Sequence, residues 1–499
     1  MIMKKILLHG CQISYSFFLK ELVRSAKEKD FAVDWSLILY SNAGGILDSF
    51  KNILREEKVL YLHDKLNDHM KKGSLDLDEL KDFPISIFEC ISTSKVVAGH
   101  ISLQEKSRQY QLKLVAGTYK IYKEFLLKEK PDFVLFPCIE LYDSMVLYYL
   151  CNELNIKPIV YEHARNLGVS FFTDLPYSGL PSYVDKCNIP NACINSAKEF
   201  ISNFRRDLTP AFLRDLKVDS NSDIISEPYL ERGILKRLID YVNKMVKIHL
   251  LGKKTGLYEP HLADRYTLLH MLRIQFYPIT ARLRILKENL YRHFYDIKSI
   301  DDLPEKFIYY PMQYAPETSI NIPAPFFVDQ LRAIDLILNF MPADHYLVVK
   351  EHPAMRGMRP ISFYKELRKR ASLIVADVAL PGIEITRKAP LTIAVTGTAC
   401  LEAFLLGRPS MHLSRAFFSE WIYKFDGFSS FRGLIKEALD TKEVPMEKIV
   451  DLVAKVFFIG GDFILFSPSD PHLKTEAVMN RNNINKFLTG LIKHVERYG

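Results

Sequence analysis

Short apolar runs, bounded by charged residues or proline, recur along the first 226 residues and again from about residue 306. Ile6 to Leu8, Trp35 to Tyr40, Phe133 to Phe136 and Lys157 to Tyr161 predict strands. Between the last two, Ile139 to Leu154 has helical spacing. Strand, helix and strand within about thirty residues make a βαβ unit, the building block of parallel sheets. The pattern changes between about Tyr229 and Ile300. Strand signals vanish there, and long helical runs take over at Leu235–Leu251 and Tyr266–Phe294, the second interrupted at Pro278. The alternation then returns. Strands are expected at Phe307–Tyr310, Tyr346–Val349, Leu373–Val375, Leu391–Val395 and Pro409–Leu413. Helices are expected at Phe327–Phe340, Ile361–Lys369 and Thr398–Leu406, with a last one at Lys474–Tyr498.

This pattern predicts an α/β protein of two Rossmann-like domains facing a cleft. Residues 1–228 form an N-terminal, acceptor-side domain. A basic helical insertion follows at 229–304, a C-terminal domain at 305–472 and a terminal helix at 473–499. The length of 499 residues and the 48% hydrophobic share suit two or three ordinary cores.

The net charge of +8 is local. Residues 231–300 hold fourteen Lys/Arg and six Asp/Glu, and 14 − 6 equals the excess of the whole chain. A confined basic segment argues against nucleic acid and for an anionic surface. An amphipathic basic pair around His270–Tyr277 and Arg282–Arg292 suits an anionic membrane, with docking of a partner protein as the alternative. Seven cysteines without a CxxC pair or an adjacent histidine cluster read as buried, reduced thiols rather than as a disulfide framework or a zinc site. The apolar run at the N-terminus is too short for a signal-peptide core, and no stretch suits a membrane span. The expected location is therefore cytoplasmic, or peripheral on the inner face of the membrane.

Ligands of open parallel sheets sit beyond the carboxyl ends of the strands, so the strand exits carry the candidate chemistry. Thr396-Gly397-Thr398 leads from a strand into a helix. Gly397 permits close approach of a ligand, the helix N-terminus and two hydroxyls favour phosphate, and Glu402 one turn on suits ribose hydroxyls. The plain alternative is an ordinary turn with Thr398 as cap and Glu402 as a solvated acid. Lys350-Glu351-His352-Pro353 places a charged triplet at another exit, where His352 donates to phosphate and Lys350 adds charge. The alternative there is a solvated strand end.

Lys-Glu-His-Pro followed by Thr-Gly-Thr-Ala-x-x-Glu-Ala-x-x-x-Gly-x-Pro resembles bacterial capsule polysaccharide biosynthesis proteins. These are glycosyltransferase-like proteins of the GT-B fold. Their Pro-x-Gln strand exit is matched by Pro311-Met312-Gln313, and the resemblance spans about Phe307 to Leu413. It implies transfer of a sugar from a nucleotide sugar to a glycan or lipid-linked glycan acceptor. It also implies that His352 meets the donor phosphate, that Thr396, Gly397 and Thr398 cradle it and that Glu402 holds ribose. Gln313, Glu317 and Ser319 would line the donor side, and Leu380 to Glu384 would sit near the base.

An inverting transfer needs a base on the acceptor side. Glu162 in Glu162-His163-Ala164-Arg165-Asn166 is the first candidate, with His163 and Asp174 next. Arg165 suits an anionic substrate group, and Gly10 after the first strand also lines that side. The alternative is a loop closed by a Glu162–Arg165 ion pair. No DxD-like pair stands at a donor-half exit, so neither metal nor cofactor is expected beyond the donor itself. Three rival functions fit the same pattern: a teichoic-acid-type polyol-phosphate transferase, a nucleotide-sugar epimerase and a non-catalytic membrane-associated assembly factor.

Overall fold

A computed structural model describes residues 3–10, 13–39, 53–71, 80–81, 83–93, 107–139, 141–211, 291–315, 318–465 and 478–498. Lys4–Gly10 (β1), Val33–Leu39 (β2), Val59–Tyr61 (β3), Phe133–Phe136 (β4), Lys157–Ala164 (β5) and Val169–Thr173 (β6) form one sheet, ordered β3-β2-β1-β4-β5-β6. All neighbours are parallel except β6, which runs back antiparallel along β5. Phe307–Pro311 (β7), Tyr346–Lys350 (β8), Leu373–Ala376 (β9), Leu391–Ala394 (β10), Ser410–His412 (β11) and Tyr423–Lys424 (β12) form a second, all-parallel sheet. Its order, β12-β11-β10-β7-β8-β9, repeats the 3-2-1-4-5-6 arrangement of the first. These are two Rossmann-like domains, as the alternating pattern predicts.

Helices on both faces make the strands apolar throughout rather than alternating. Ile6 and Leu8 pack with Phe18 and Leu22 of α1 (Ile13–Glu28), while Leu7 joins Val146 and Leu150 of α2 (Tyr142–Glu153) on the other face. The second domain takes in the stretch before β7. Tyr291, Tyr295 and Ile297 are buried, and the backbone of Asp296 and Ile297 donates to Val375. The 229–290 part of the basic insertion, where the sequence predicts amphipathic basic helices, lies outside the described residues. Among the described residues no helix is long and apolar enough to cross a membrane.

Two crossings fix one domain against the other. Helix α3 (Asn191–Asp207) presents Ala197, Ile201 and Phe204 to a core shared with Phe404 of α5 (Ala399–Leu405) and with Leu452 and Val456 of α6 (Met446–Ile459). Between α3 and α5 in chain order, Gly382–Lys388 is α4. After α6 the chain returns to the first domain. Gly461 exchanges two backbone hydrogen bonds with Ser170 of β6, at 2.8 and 3.0 Å. The last helix, α7 (Arg481–Arg497), then packs Phe487 edge-on against Phe18 of α1, with ring centroids 4.9 Å apart.

Most strands match the sequence reading to within a residue or two. β5 is the instructive exception. It continues three residues past Tyr161 and turns through Arg165–Leu167 into β6, with Gly168 at φ +70°. The positive φ suits glycine, which has no Cβ to clash. Of the described cysteines, Cys90, Cys151 and Cys400 are buried, and all six are free thiols.

Candidate functional site

The carboxyl ends of the two sheets meet. Asn166, just past β5, donates from Nδ2 to Oε1 of Glu402 on α5, at 3.1 Å. Asn166 is itself buried. This hydrogen bond spans 236 residues of sequence and joins the walls of the cleft. Glu402 is neither a freely solvated acid nor a buried ion pair. Burial pushes its carboxyl up to about 7, opposed by the Asn166 hydrogen bond.

Glu162 lies four residues before Asn166, within β5, opposite Phe171. Burial raises its pKa to about 7 as well, opposed by a hydrogen bond from the backbone of Tyr177. Because it is a strand residue, its neighbours alternate in direction. His163 and Tyr161 point to the other face, where both reach Ser170 Oγ, at 2.8 and 2.9 Å. Glu162 and His163 therefore do not converge. Arg165 is exposed on the turn. Asp174 is carried away from the strand exit by the antiparallel course of β6: Thr173 stands beside Val160, four residues before the end of β5 at Ala164. It accepts from the backbone of Ser182, at 3.0 Å. Gly10 ends β1, and a Cβ there would fall 2.8 Å from the carbonyl oxygen of Ile38. Its smallness serves the approach of β2.

On the opposite wall the charged triplet divides by the same alternation. Lys350 is buried with only 5% exposure, and among the described residues no side chain hydrogen-bonds its ammonium. Burial lowers it to about 8, partly offset by Glu351. Glu351 is buried at 1% exposure and does not face the cleft. It accepts from Arg359 Nε at 2.6 Å, from the Tyr364 hydroxyl at 3.0 Å and from the His352 backbone at 2.9 Å. Arg359 also donates to the carbonyl of Gln313, at 2.9 Å. One buried ion pair thus holds two strand exits together. His352 is left at the surface of the cleft, its ring 5.8 Å from that of Tyr314. Desolvation by surrounding protein lowers its pKa to about 4, aided by the charges of Lys350 and Arg359. A neutral imidazole keeps one N–H to donate at neutral pH.

Gln313 is buried, and its backbone N–H donates to Gln330 Oε1 at 2.8 Å. Gln330 also accepts from the Tyr310 hydroxyl, at 2.9 Å, and donates to the carbonyl of Phe327, at 2.8 Å. The side-chain amide of Gln313 reaches Gly397, where a Cβ would lie 2.6 Å from Nε2. Gly397 is small because Gln313 occupies that space, not only to admit a ligand. Its carbonyl accepts from His412 Nε2 at 3.4 Å, and His412 Nδ1 bonds Ser419 at 2.9 Å. Thr396 is half-buried and Thr398 exposed. Thr398 forms no side-chain cap, which leaves its hydroxyl available to the cleft. Pro381 and Gly382 open α4, and Gly382 lies against the Tyr309 hydroxyl. Glu317 lies outside the described residues, as does the side chain of Ser319.

Residues 275–462 match the model of a family described as capsule polysaccharide biosynthesis protein. No curated protein matches the chain. Among solved structures, the beta Kdo 2,7 transferase KpsC of Thermosulfurimonas dismutans is similar at 12% identity and TM-score 0.34, covering 75% of this chain and 89% of that one. The beta Kdo 2,4 transferase KpsC of the same organism matches at 9% identity and TM-score 0.31, covering 64% and 86%. The UDP-GlcNAc 2-epimerase of Neisseria meningitidis, bound to UDP-GlcNAc, matches at 11% identity and TM-score 0.21, covering 98% and 100%. Likenesses this remote carry no chemistry across. The matched stretch does hold Gln313, the Lys350–His352 exit and the turn from Thr396 to Glu402, and over it this chain carries the pattern of the capsule polysaccharide biosynthesis family.

Proposed function

We propose that the chain is a glycosyltransferase of surface or capsular polysaccharide assembly, taking its sugar from a nucleotide-activated donor. The observation that carries the reading is the Asn166–Glu402 contact. It sets a carboxyl held near neutrality on the acceptor wall, Glu162, close in the chain to a residue that touches the donor wall. A base poised near the working pH is what deprotonation of an acceptor hydroxyl requires.

In this proposal the nucleotide lies along the second domain. His352 and the Thr398 hydroxyl donate to its phosphates, and Lys350 supplies positive charge from beneath. Glu402 accepts from ribose, with Gln313, Thr396 and Gly397 shaping the wall. Glu162 takes the acceptor proton as that oxygen bonds to the anomeric carbon. The bond from that carbon to the phosphate oxygen breaks, and its electron pair leaves with the phosphate. Fixed donors and positive charge stabilise the leaving group. The acceptor is a glycan or lipid-linked glycan, reached at an anionic membrane surface through the basic segment 231–300.

Calorimetry with CMP, CDP, GDP and UDP tests the donor half. His352→Ala is expected to weaken binding of whichever nucleotide the wild type takes. Glu162→Gln should leave that binding intact while transfer falls about 10²–10⁴-fold. If the wild type binds no nucleotide, the reading fails. Equal recovery on liposomes with and without anionic lipid removes its membrane part.

A further inference from the structure

A cavity of about 420 Å³ opens beside the return crossing, walled by β6, the crossing itself and α7. It shares no residue with the cleft. One helical face of α7 lines it, with Lys486, Lys493, His494 and Arg497 at helical spacing. Its apolar side is aromatic: Phe172 and Phe463 stack with centroids 5.4 Å apart, and Phe458 lies under the Arg497 guanidinium at 4.4 Å. Gly490 makes this possible, since a Cβ there would fall 2.9 Å from the Phe463 ring.

The charge of the walls is unbalanced. Asp462 is the acidic lining residue, and it is engaged with Lys486 at 2.6 Å. Lys493 is exposed, and among the described residues no carboxylate pairs with it or with Arg497.

His494 points to a ligand independently. It is 3% exposed, and its Nε2 has no hydrogen-bond partner. Its Nδ1 lies 3.0 Å from the Tyr183 hydroxyl. With the Tyr183 hydroxyl donating to Nδ1, the ring proton sits on Nε2. Burial lowers the imidazole to about 3, so it stays neutral. A buried N–H left without an acceptor is unfavourable, and structures rarely keep one without a use.

We infer that this cavity binds a small organic phosphate. Its phosphate meets Lys493, Arg497 and the His494 Nε2–H, and its apolar part rests on Phe172 and Phe463. Two positive charges and a neutral donor suit a phosphate oxyanion, and the aromatic floor excludes a bare inorganic ion as the whole occupant. The volume is that of a small-molecule site.

Acetylation of Lys493 in the full chain, read by mass spectrometry, reports on the site. Saturating phenyl phosphate is expected to slow labelling of Lys493 and to leave Lys448 on α6 unchanged. Arg497→Gln and, separately, His494→Phe should raise the half-protecting concentration about tenfold, the loss of one contact to the phosphate. His352→Ala should leave it unchanged, which separates this site from the nucleotide cleft. A second arm uses phosphatidylcholine vesicles with and without phosphatidic acid. Protection only by the vesicles containing phosphatidic acid assigns the phosphate to a lipid headgroup rather than a free metabolite. Protection by neither probe, or undiminished protection in both variants, overturns the inference.

Discussion

Replacing Glu351 by alanine tests how the donor wall is held. The carboxylate is 1% exposed and the Arg359 side chain 10%, with 2.6 Å between Oε2 and Nε. Alanine leaves a guanidinium buried without its partner. It also removes the acceptor of the Tyr364 hydroxyl and of the His352 N–H. Breaking one side of a buried pair typically destabilises by about 3–5 kcal/mol. Arg359 keeps its bond to the Gln313 carbonyl and has some reach to water, so the lower end of that range applies, about 3 kcal/mol. For a domain of this size that lowers the melting temperature by roughly 6–12 °C.

Differential scanning calorimetry of four proteins decides the matter: wild type, Glu351→Ala, Arg359→Ala and the double variant. The double variant should lose less than the sum of the singles, because each single strands the other's charge. Glu351→Gln keeps an acceptor oxygen without charge and should fall between wild type and alanine. Strict additivity, or a melting temperature within about 2 °C of wild type for Glu351→Ala, would refute the claim that this pair fastens the exits of β7 and β8.

Three further outcomes follow from the same site. Glu402→Gln should stabilise the chain by ~1–2 kcal/mol at pH 8, a full shift from 4.5 to about 7 being discounted for partial exposure. The sign is set by burial: the folded state holds the proton more tightly, so wild-type stability is intact below pH 4.5 and lost as pH rises through 7, and the gain should vanish in melts at pH 4. Lys350→Met should stabilise by about 2 kcal/mol at pH 7, since the buried ammonium is lowered from 10.5 to about 8, while nucleotide binding weakens. That gain should shrink as pH rises through 8 toward 10.5, and equal binding by the variant would take Lys350 out of the donor site. Gly397→Ala should destabilise by about 1–3 kcal/mol through collision with Gln313 Nε2 at 2.6 Å, and Gln313→Ala in the same chain should recover most of the loss. An unrecovered loss in thermal melts would place the conflict elsewhere.

The alternation of apolar runs was enough to read two parallel sheets, because strands covered on both faces are apolar throughout and end abruptly at polar exits. Phe133–Phe136 and Tyr346–Lys350 are of that kind. β6 was harder to read. Val169–Thr173 is short, half polar and follows a turn, and its antiparallel pairing comes from the hairpin rather than from its composition. The candidate site divides in the same way. Residues at exits, such as His352 and Thr398, were visible as polar groups after apolar runs. The residues that hold them were not. Glu351 resembled a solvated acid, Arg359 and Gln330 stood in no motif, and Asn166 stood at a polar exit with no role assigned to it. Each earns its place through one long-range contact, and a single sequence contains no record of such contacts.

Topology also narrows the choice of base. Among the acceptor-side polar residues the sequence puts Glu162 first, with His163 and Asp174 next. Pleating sends His163 to the face of Ser170 and Tyr161, against the crossing from the second domain. The reversal of β6 carries Asp174 to the far edge of the sheet, into a turn it caps for Ser182. Glu162 keeps the opposite face of β5 and the cleft end of the strand, four residues from the contact with Glu402. Its carboxyl is held near 7 by burial, not by a pairing charge. A group raised by burial still ionises at neutral pH and regains its proton readily, whereas an ion-paired carboxylate is a poor base because its pKa lies far below the working pH. The geometry of one hairpin therefore reduces three candidate bases to one.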